Sequence, residues 1–422
     1  MIRSRARVDI GMPSCHVQEP VLDGSSSEAA ERTAAPKRIL VLAACPLPWP
    51  RGTPIRATRL TNAFASRGHD VTVATYHLGT DEFDPKAYPI AVHRTPNLRF
   101  YRDTRPGPTL TKLLVLDPLL LAKALKLVRS KRFDVIYAHH YESLLIALAI
   151  RRVTSIPVIY DAHTLLGSEL PYYVSKPLRG MARLLGEFLD RCLPRRADYV
   201  VAVSTAIADR LRHDSRLKLI SVVNNRVELG HFSRHTWPTH NGQGRTVLFT
   251  GNMAAYQGVE AMLDVFARVL DSHRDLRLRI VSNEPLGQYA DLARKLGIFD
   301  RIDIVSTDFA RLPAEIAGAS VAVNPRSEGD GIAQKLVNYM AVGAPIVSFA
   351  GTSAGLEDGV NAIVVPNGDI ARFADGIRTL LDDVPLAKRL GGNARRQICS
   401  AGNWEQAVVE IERSALAYLD GK

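Results

Sequence analysis

Short apolar runs alternate with stretches of helical periodicity along most of the chain. The first run, Arg38-Ile39-Leu40-Val41-Leu42-Ala43-Ala44, is unbroken and ends just before Pro46, as a strand buried on both faces does. Similar runs recur at Val71 to Tyr76, Val135 to Ala138, Val158 to Asp161 and Tyr199 to Val203. Helical stretches fill the gaps, for example Thr58 to Arg67, stopped by Gly68, and Ser204 to Arg212. The same grammar restarts at Thr246 to Thr250 and continues through Leu278 to Val281, Ile302 to Val305, Val321 to Val323, Ile346 to Phe349 and Ile363 to Val365. The alternation predicts an α/β fold of two doubly wound, Rossmann-like units, each a parallel sheet with helices on both faces. Two such units facing one another enclose a cleft lined by the carboxyl ends of strands, where ligands of these folds bind.

Between the two series, Glu228 to Arg245 is rich in His, Gly, Asn and Thr, contains Pro238 and lacks apolar periodicity, as a linker does. The expected organisation is a first domain over 37–229, a second over 230–402, and a final amphipathic helix within 403–422 that docks on one of them. That helix shows in the spacing of Val408, Ile411, Leu416 and Leu419. The start, 1–36, mixes Arg, Asp, Ser, Glu and Pro without the apolar core of a signal peptide, and is expected to be a disordered tail.

A chain of 422 residues suits two domains. Every apolar stretch meets a charge before it reaches the roughly 18 to 20 residues of a membrane span. The longest, Leu110 to Val128, contains Lys112, Asp117, Lys123 and Lys126 and reads as an amphipathic helix or helix pair. Cys15, Cys45, Cys192 and Cys399 are far apart and form no C-x-x-C pair, so neither a zinc site nor a disulfide framework is expected, and a cytoplasmic location is favoured. The net charge of +11 is compatible with a polyanion, an anionic membrane or a phosphorylated small substrate. No nucleic-acid motif accompanies the basic residues between Arg99 and Arg132, which argues against a nucleic-acid partner.

The strand ends carry the candidate chemistry. After Val321 to Val323 comes Asn324-Pro325-Arg326-Ser327-Glu328-Gly329-Asp330-Gly331, a glycine-punctuated loop, then a helix from about Ile332 that stops at Gly343. Its first amides, at Ile332 and Ala333, favour a phosphate. Lys335 in the first turn and Asn338 three residues on share a face, and can hold a diphosphate and a ribose together. Arg326 adds charge for a leaving diphosphate, while Glu328 and Asp330 can accept hydrogen bonds from sugar hydroxyls. A second strand end, Thr250-Gly251-Asn252 to Tyr256-Gln257-Gly258, offers close backbone approach at Gly251 and uncharged hydrogen-bonding groups at Asn252 and Gln257.

In the first domain, Gly52 can bring its backbone N–H to a phosphate, and Tyr160-Asp161-Ala162-His163 puts a histidine at the cleft edge. His139 and His140 end an earlier strand in the same way. The first turn is not G-x-G-x-x-G, and the second strand ends at Tyr76-His77 rather than at an acid for ribose, so a nicotinamide enzyme is disfavoured. No H-E-x-x-H, G-x-S-x-G, Walker A or D-x-D motif in a fitting context is present, and no metal or other cofactor is expected.

At these segments the chain resembles family 4 of the retaining GT-B glycosyltransferases, from Lys37 to the final helix. Arg51-Gly52-Thr53-Pro54 is similar to the family's glycine loop, Ser66-Arg67-Gly68-His69-Asp70-Val71 to its helix-to-strand link, and Ala197 to Ser204 to its strand before the linker. The family has two glutamates eight positions apart, the first on the donor sugar and the second on the ribose. Met340-Ala341-Val342-Gly343-Ala344-Pro345 sets the register, placing Asp330 at the first and Asn338 at the second, with Glu328 close enough to compete. Where relatives commonly hold the diphosphate with an arginine and a lysine, this chain has Asn252 and Gln257; one branch has Tyr-Gln-Gly there and a lysine three residues before the second glutamate, as Lys335 is here.

The resemblance implies a retaining sugar transfer from a nucleotide-diphosphate donor on the second domain to an acceptor on the first, with His163, Asp330 and Glu328 at the reacting sugar. Cell-surface polysaccharide or glycolipid assembly is the common setting, with acceptors often lipid-linked. Arg179, Arg183, Arg191, Arg195 and Arg196, interleaved with Leu178, Met181, Leu184, Leu185, Phe188 and Leu189, extend that expectation to peripheral contact with an anionic membrane at its inner face. Two alternatives stand beside it, a sugar-nucleotide epimerase of the same architecture, and a non-catalytic nucleotide-sugar-binding or scaffold subunit suggested by Asn252, Gln257 and Asn338.

Overall fold

The computed structural model describes residues 35–49, 52–79, 90–104, 107–238, 245–306, 308–329 and 333–421. Two parallel sheets organise them. The first contains β1 (Arg38–Ala43), β2 (Asp70–Thr75), β3 (Ala91–Arg94), β4 (Val135–His139), β5 (Val158–Ala162), β6 (Tyr199–Ala202) and β7 (Ile220–Val222), in the order β3-β2-β1-β4-β5-β6-β7. The second contains β8 (Thr246–Thr250), β9 (Arg277–Val281), β10 (Ile302–Val305), β11 (Val321–Asn324), β12 (Ile346–Phe349) and β13 (Ile363–Val365), in the order β10-β9-β8-β11-β12-β13. These are two Rossmann-like units, as the alternating runs predict. The order reverses between β1 and β4 in one sheet and between β8 and β11 in the other, which places a ligand crevice at those strand ends.

The central strands are apolar throughout because both faces are covered. In β1, Leu40 and Leu42 enter one core while Ile39, Val41 and Ala43 enter the other. Each of the Leu, Ile and Val side chains contributes roughly 1.5–3 kcal/mol by leaving water. The edge strands β3 and β7 escape the sequence pattern for the converse reason: they are short and only partly buried, so they need no continuous apolar run.

The chain ends on the first domain. The helix Trp404–Ile411 opens with a capping box between Asn403 and Gln406, and Trp404, Val408, Ile411 and Leu416 enter the same core as β1 and Phe64. Glu412 then meets Arg67 at 2.7 Å through both oxygens and His69 Nε2 at 3.0 Å. Burial would raise its carboxyl, but His69 and Arg67 outweigh that and hold it down at about 2. The linker is pinned to the second domain by Trp237, whose indole donates to the carbonyl of Ala319 at 2.6 Å.

The stretch 112–130 is helical, a π-helical turn Lys112–Leu116 leading into Asp117–Ser130. Among the described residues no helix is long and apolar enough to cross a membrane. Cys45 and Cys192 take part in no disulfide. Of the stretch 1–36, residues 1–34 lie outside the described residues.

Candidate functional site

The second-domain wall is built where β8 and β11 end side by side. The loop after β8 turns through Ala255–Gln257 to Gly258, whose φ is +73°; a Cβ there would stand 2.1 Å from the carbonyl oxygen of Pro325. Only glycine lets the two strand ends approach so closely. Beyond β11 the helix Gln334–Val342 begins from extended backbone at Ala333, and no side chain of the described residues caps its first amides. They remain available to an anion at the cleft.

Lys335 reaches back from the first turn of this helix toward the glycine loop. Its Nζ donates to Gln257 Oε1 at 2.6 Å and lies 4.0 Å from the centre of the Phe249 ring. It would stand 3.5 Å from a Cβ placed on Gly251. The cation thus arrives at the β8 turn from a different element than an arginine at position 252 would supply. Burial, and secondarily the charge of Arg326, pull the Lys335 ammonium well below its ordinary range. Such a group gains from any anion that enters beside it.

Arg326 lies over the Tyr256 ring at 5.1 Å and donates from Nε to the Glu328 carbonyl at 2.7 Å. The Glu328 carboxylate accepts a 2.5 Å hydrogen bond from the Tyr172 phenol across the cleft. Asn338 sits one turn below Lys335, nearly buried, and Gln334 Nε2 donates to its Oδ1 at 3.4 Å. Asn252 works within its own turn: Oδ1 accepts from the amide of Ala254 at 3.2 Å, and Nδ2 donates to Tyr256 Oη at 3.1 Å.

On the first-domain wall, Gly52 opens the helix Gly52–Ser66 after β1. The parallel register sets His139 at the end of β4 directly beside Asp161 in β5. His163, two residues on, returns to the same face by the period of a strand. His139 Nδ1 and His163 Nε2 lie 2.9 and 3.1 Å from Asp161 Oδ2, and Arg56 grips both oxygens of that carboxylate at 2.9 Å. Burial would raise the Asp161 carboxyl, but Arg56 and then His163 hold it well below the usual range. Burial dominates at His163 and lowers it to about 4, so the ring is neutral at physiological pH.

His140 adopts a left-handed backbone, φ 69°, which costs an ordinary residue roughly 1–3 kcal/mol. Its ring stands 2.5 Å from Glu142 and 3.3 Å from Glu169. Burial opposes its charge, yet the two carboxylates raise it well above its ordinary value, making an imidazolium at the cleft edge.

His163, Glu328, Gly52, Gly251, Asn252, Gln257, Arg326, Ala333, Lys335 and Asn338 all line one cleft of about 620 Å³ between the two sheets. Asp330 and Ile332 lie outside the described residues. Sequence reasoning missed four contributors. Glu284, just past β9, accepts from the amide of Met253 at 2.9 Å and lines the cleft; its place after a strand end was the available signal. Tyr172 and Tyr256, ring centres 6.4 Å apart, come from opposite walls; Tyr172 leaves no local sequence trace, and Tyr256 shows only as part of the Tyr-Gln-Gly turn. Arg56 looked like an ordinary helix residue until the fold placed Asp161 beside it.

His139, Asp161 and His163 are also the one group of described residues whose ligand atoms converge closely enough for a metal ion. Arg56 already occupies both oxygens of the single carboxylate.

Comparison with known proteins agrees with this architecture. Residues 50–231 match the family described as Glycosyltransferase Family 4, and residues 244–383 match Glycosyl transferases group 1. Glycogen synthase of Mycobacterium tuberculosis is 23% identical over 86% of this chain and 90% of its own. D-inositol 3-phosphate glycosyltransferase of Corynebacterium efficiens is 27% identical over 67% of this chain and 70% of its own. Among solved structures, sucrose-phosphate synthase from Thermosynechococcus elongatus superimposes with a TM-score of 0.78 at 17% identity, covering 92% of this chain and all of that one. Anabaena HepE in complex with UDP-glucose gives 0.70 at 16% identity, covering 90% of this chain and all of its own. Two matched families spanning both Rossmann-like units, with a cleft between them, identify the chain as a GT-B glycosyltransferase of the family 4 type.

Proposed function

We propose that the protein is a retaining glycosyltransferase, taking a sugar from a nucleotide-diphosphate donor on the second domain and passing it to an acceptor that enters along the first. The observation that carries this reading is Lys335, a buried cation paired by no carboxylate among the described residues, beside the open start of the helix Gln334–Val342. A diphosphate supplies the missing negative charge. As the bond between the anomeric carbon and the diphosphate oxygen breaks, charge builds on that oxygen, and Lys335, Arg326 and the helix amides stabilise it. In this reading they supply the charge that a metal supplies in other phosphate chemistry. The acceptor oxygen bonds to the anomeric carbon on the same face, and its proton leaves with the diphosphate. Glu328 and Asp330 hold sugar hydroxyls, Asn338 meets the ribose, and the domains divide near Gly230. HepE was solved with UDP-glucose, which makes that the first donor to test.

The setting we propose is assembly of a cell-surface polysaccharide or glycolipid at the inner face of a membrane. The helix Arg179–Cys192 supports it by being inside out. It buries Gly186 and Asp190, while Met181, Leu184, Leu185 and Phe188 are 53–69% exposed. Asp190 anchors it by accepting from the amides of Leu166 at 3.0 Å and Gly167 at 2.9 Å. At Gly186 a Cβ would meet the backbone of Gly167 at 2.5 Å, so the contact is close. Arg179, Arg183 and Arg191 of the same helix are exposed as well, and basic side chains beside exposed apolar ones fit anionic lipid.

Incubation of the purified protein with a panel of nucleotide sugars and lipid or glycan acceptors, with product anomers assigned by NMR, tests the reading. Transfer with retained configuration supports it. Inverted product refutes the stereochemistry, isomerised donor favours an epimerase, and binding without turnover favours a scaffold subunit.

A further inference from the structure

A fully buried carboxylate stands behind the cleft histidine, and donor binding alone gives no reason for it. Asp161 is 0% exposed and Arg56 is 1% exposed. The guanidinium meets the carboxylate in a two-point fork, Nε to Oδ2 and Nη2 to Oδ1, the geometry that best keeps a buried carboxylate ionised. Oδ2 carries two further contacts, from His139 Nδ1 and His163 Nε2. The same two nitrogens stand 3.2 Å from each other, but the carboxylate oxygen is nearer to both, is charged and only accepts, so it outcompetes a ring nitrogen as acceptor and both rings direct protons at it. In a neutral His163 the proton is then on Nε2, and Nδ1 is left as a bare acceptor on a ring that lines the cleft.

We propose that the Arg56–Asp161 pair is a positioning device that fixes His163 in the Nε2–H tautomer, so that the cleft is offered an acceptor at Nδ1, which receives a substrate hydroxyl. The identity of the hydroxyl rests on the nucleotide-sugar reading above; the tautomer does not. The groups that face His163 are Asp161, His139 with ring centres 5.4 Å away, His140 at 6.2 Å, and Arg56 through Asp161. Of these only Asp161 favours a charged ring, and burial outweighs it. A metal ion among the same three ligands would add its charge to that of Arg56 against a single carboxylate away from water, which the Coulomb balance disfavours.

Long-range proton–nitrogen NMR correlations on protein labelled with nitrogen-15 at histidine test the proposal, with His163 assigned by its loss in His163→Gln. The expected result is a neutral ring protonated at Nε2 throughout pH 8 to 5. A proton on Nδ1, a titration midpoint between pH 6 and 7, or a stoichiometric metal ion by mass spectrometry would overturn it. In Asp161→Asn the two tautomers should mix, with kcat for nucleotide-sugar turnover falling at least about tenfold and KM for the nucleotide sugar little changed. Arg56→Lys, which keeps both Asp161 and a cation behind it, should retain the single tautomer. The wild-type spectrum decides the matter even where Asp161→Asn does not fold. A protein inactive on every donor but holding the Nε2–H tautomer would sink the transferase reading and leave this one standing.

Discussion

Lys335 Nζ donates to Gln257 Oε1 at 2.6 Å, so an amide rather than a carboxylate receives the buried ammonium beside the glycine loop. Lys335→Ala should weaken UDP binding by roughly 1.5–3 kcal/mol, the range of a charge-assisted contact, and leave the fold intact. Binding to the wild type at pH 8 should also take up protons, because a diphosphate restores the charge that burial disfavours. Calorimetry in buffers of different ionisation enthalpy measures this. Uptake that persists in Lys335→Ala would assign it to another group.

Gln257→Glu is the complementary test. A carboxylate at this position pairs with Lys335 and competes with the diphosphate, so UDP affinity should fall by about tenfold or more while the melting temperature holds or rises. Unchanged affinity would remove Lys335 from the anion site.

Asn338 lies below Lys335 on the same helix, where the resemblance to family 4 expects a glutamate. If that register is right, Asn338→Glu should preserve or improve affinity for UDP, by up to about 1 kcal/mol for one added hydrogen bond to the ribose. Loss of UDP binding in a folded variant would show the register to be wrong.

Glu412 ties the end of the chain to Arg67 and His69. Its folded carboxyl sits at about 2 against an ordinary 4.5, so the stabilisation is complete above pH 4.5 and is lost as pH falls toward 2. Its size is on the order of 3 kcal/mol. Glu412→Gln should lower the urea midpoint at pH 7 and flatten the decline between pH 4.5 and 2. An equal decline in both proteins would place the acid sensitivity elsewhere.

The inside-out helix predicts sedimentation with anionic but not neutral vesicles, decreasing with salt, each exposed arginine near the surface contributing about 1 kcal/mol. Arg179, Arg183 and Arg191 changed together to Gln should abolish most of it. Equal pelleting with both vesicle types, or none at low salt, would remove the membrane from the proposal and leave the transferase untouched.

The architecture was legible because parallel strands buried on both faces must be apolar end to end, which marks β1, β4, β5 and β8 in the sequence. Strand ends then pointed to Lys335, Gln257 and His163. What stayed hidden depends on distance in the chain. Arg56 and Asp161 are 105 residues apart, and Tyr172 and Glu328 are 156 apart. Neither pair has a local pattern, since their contact is created by the closing of sheet and cleft. In Arg179–Cys192 the interleaving of basic and apolar residues was visible, but periodicity alone does not say which face of the helix turns inward.

The return of the final helix to the first domain means that the polypeptide passes between the two units twice, once through the linker after β7 and again at Gly402 and Asn403. Arg226, just before the linker, and Glu410 of the final helix tie the neighbourhoods of these crossings together at 2.6 Å. A single crossing acts as a tether about which a domain can swivel freely. Two crossings tied together restrict that swivel, as a second pin does on a door hinge. Removing the last turns of the chain, far from any sugar, would turn that hinge back into a tether.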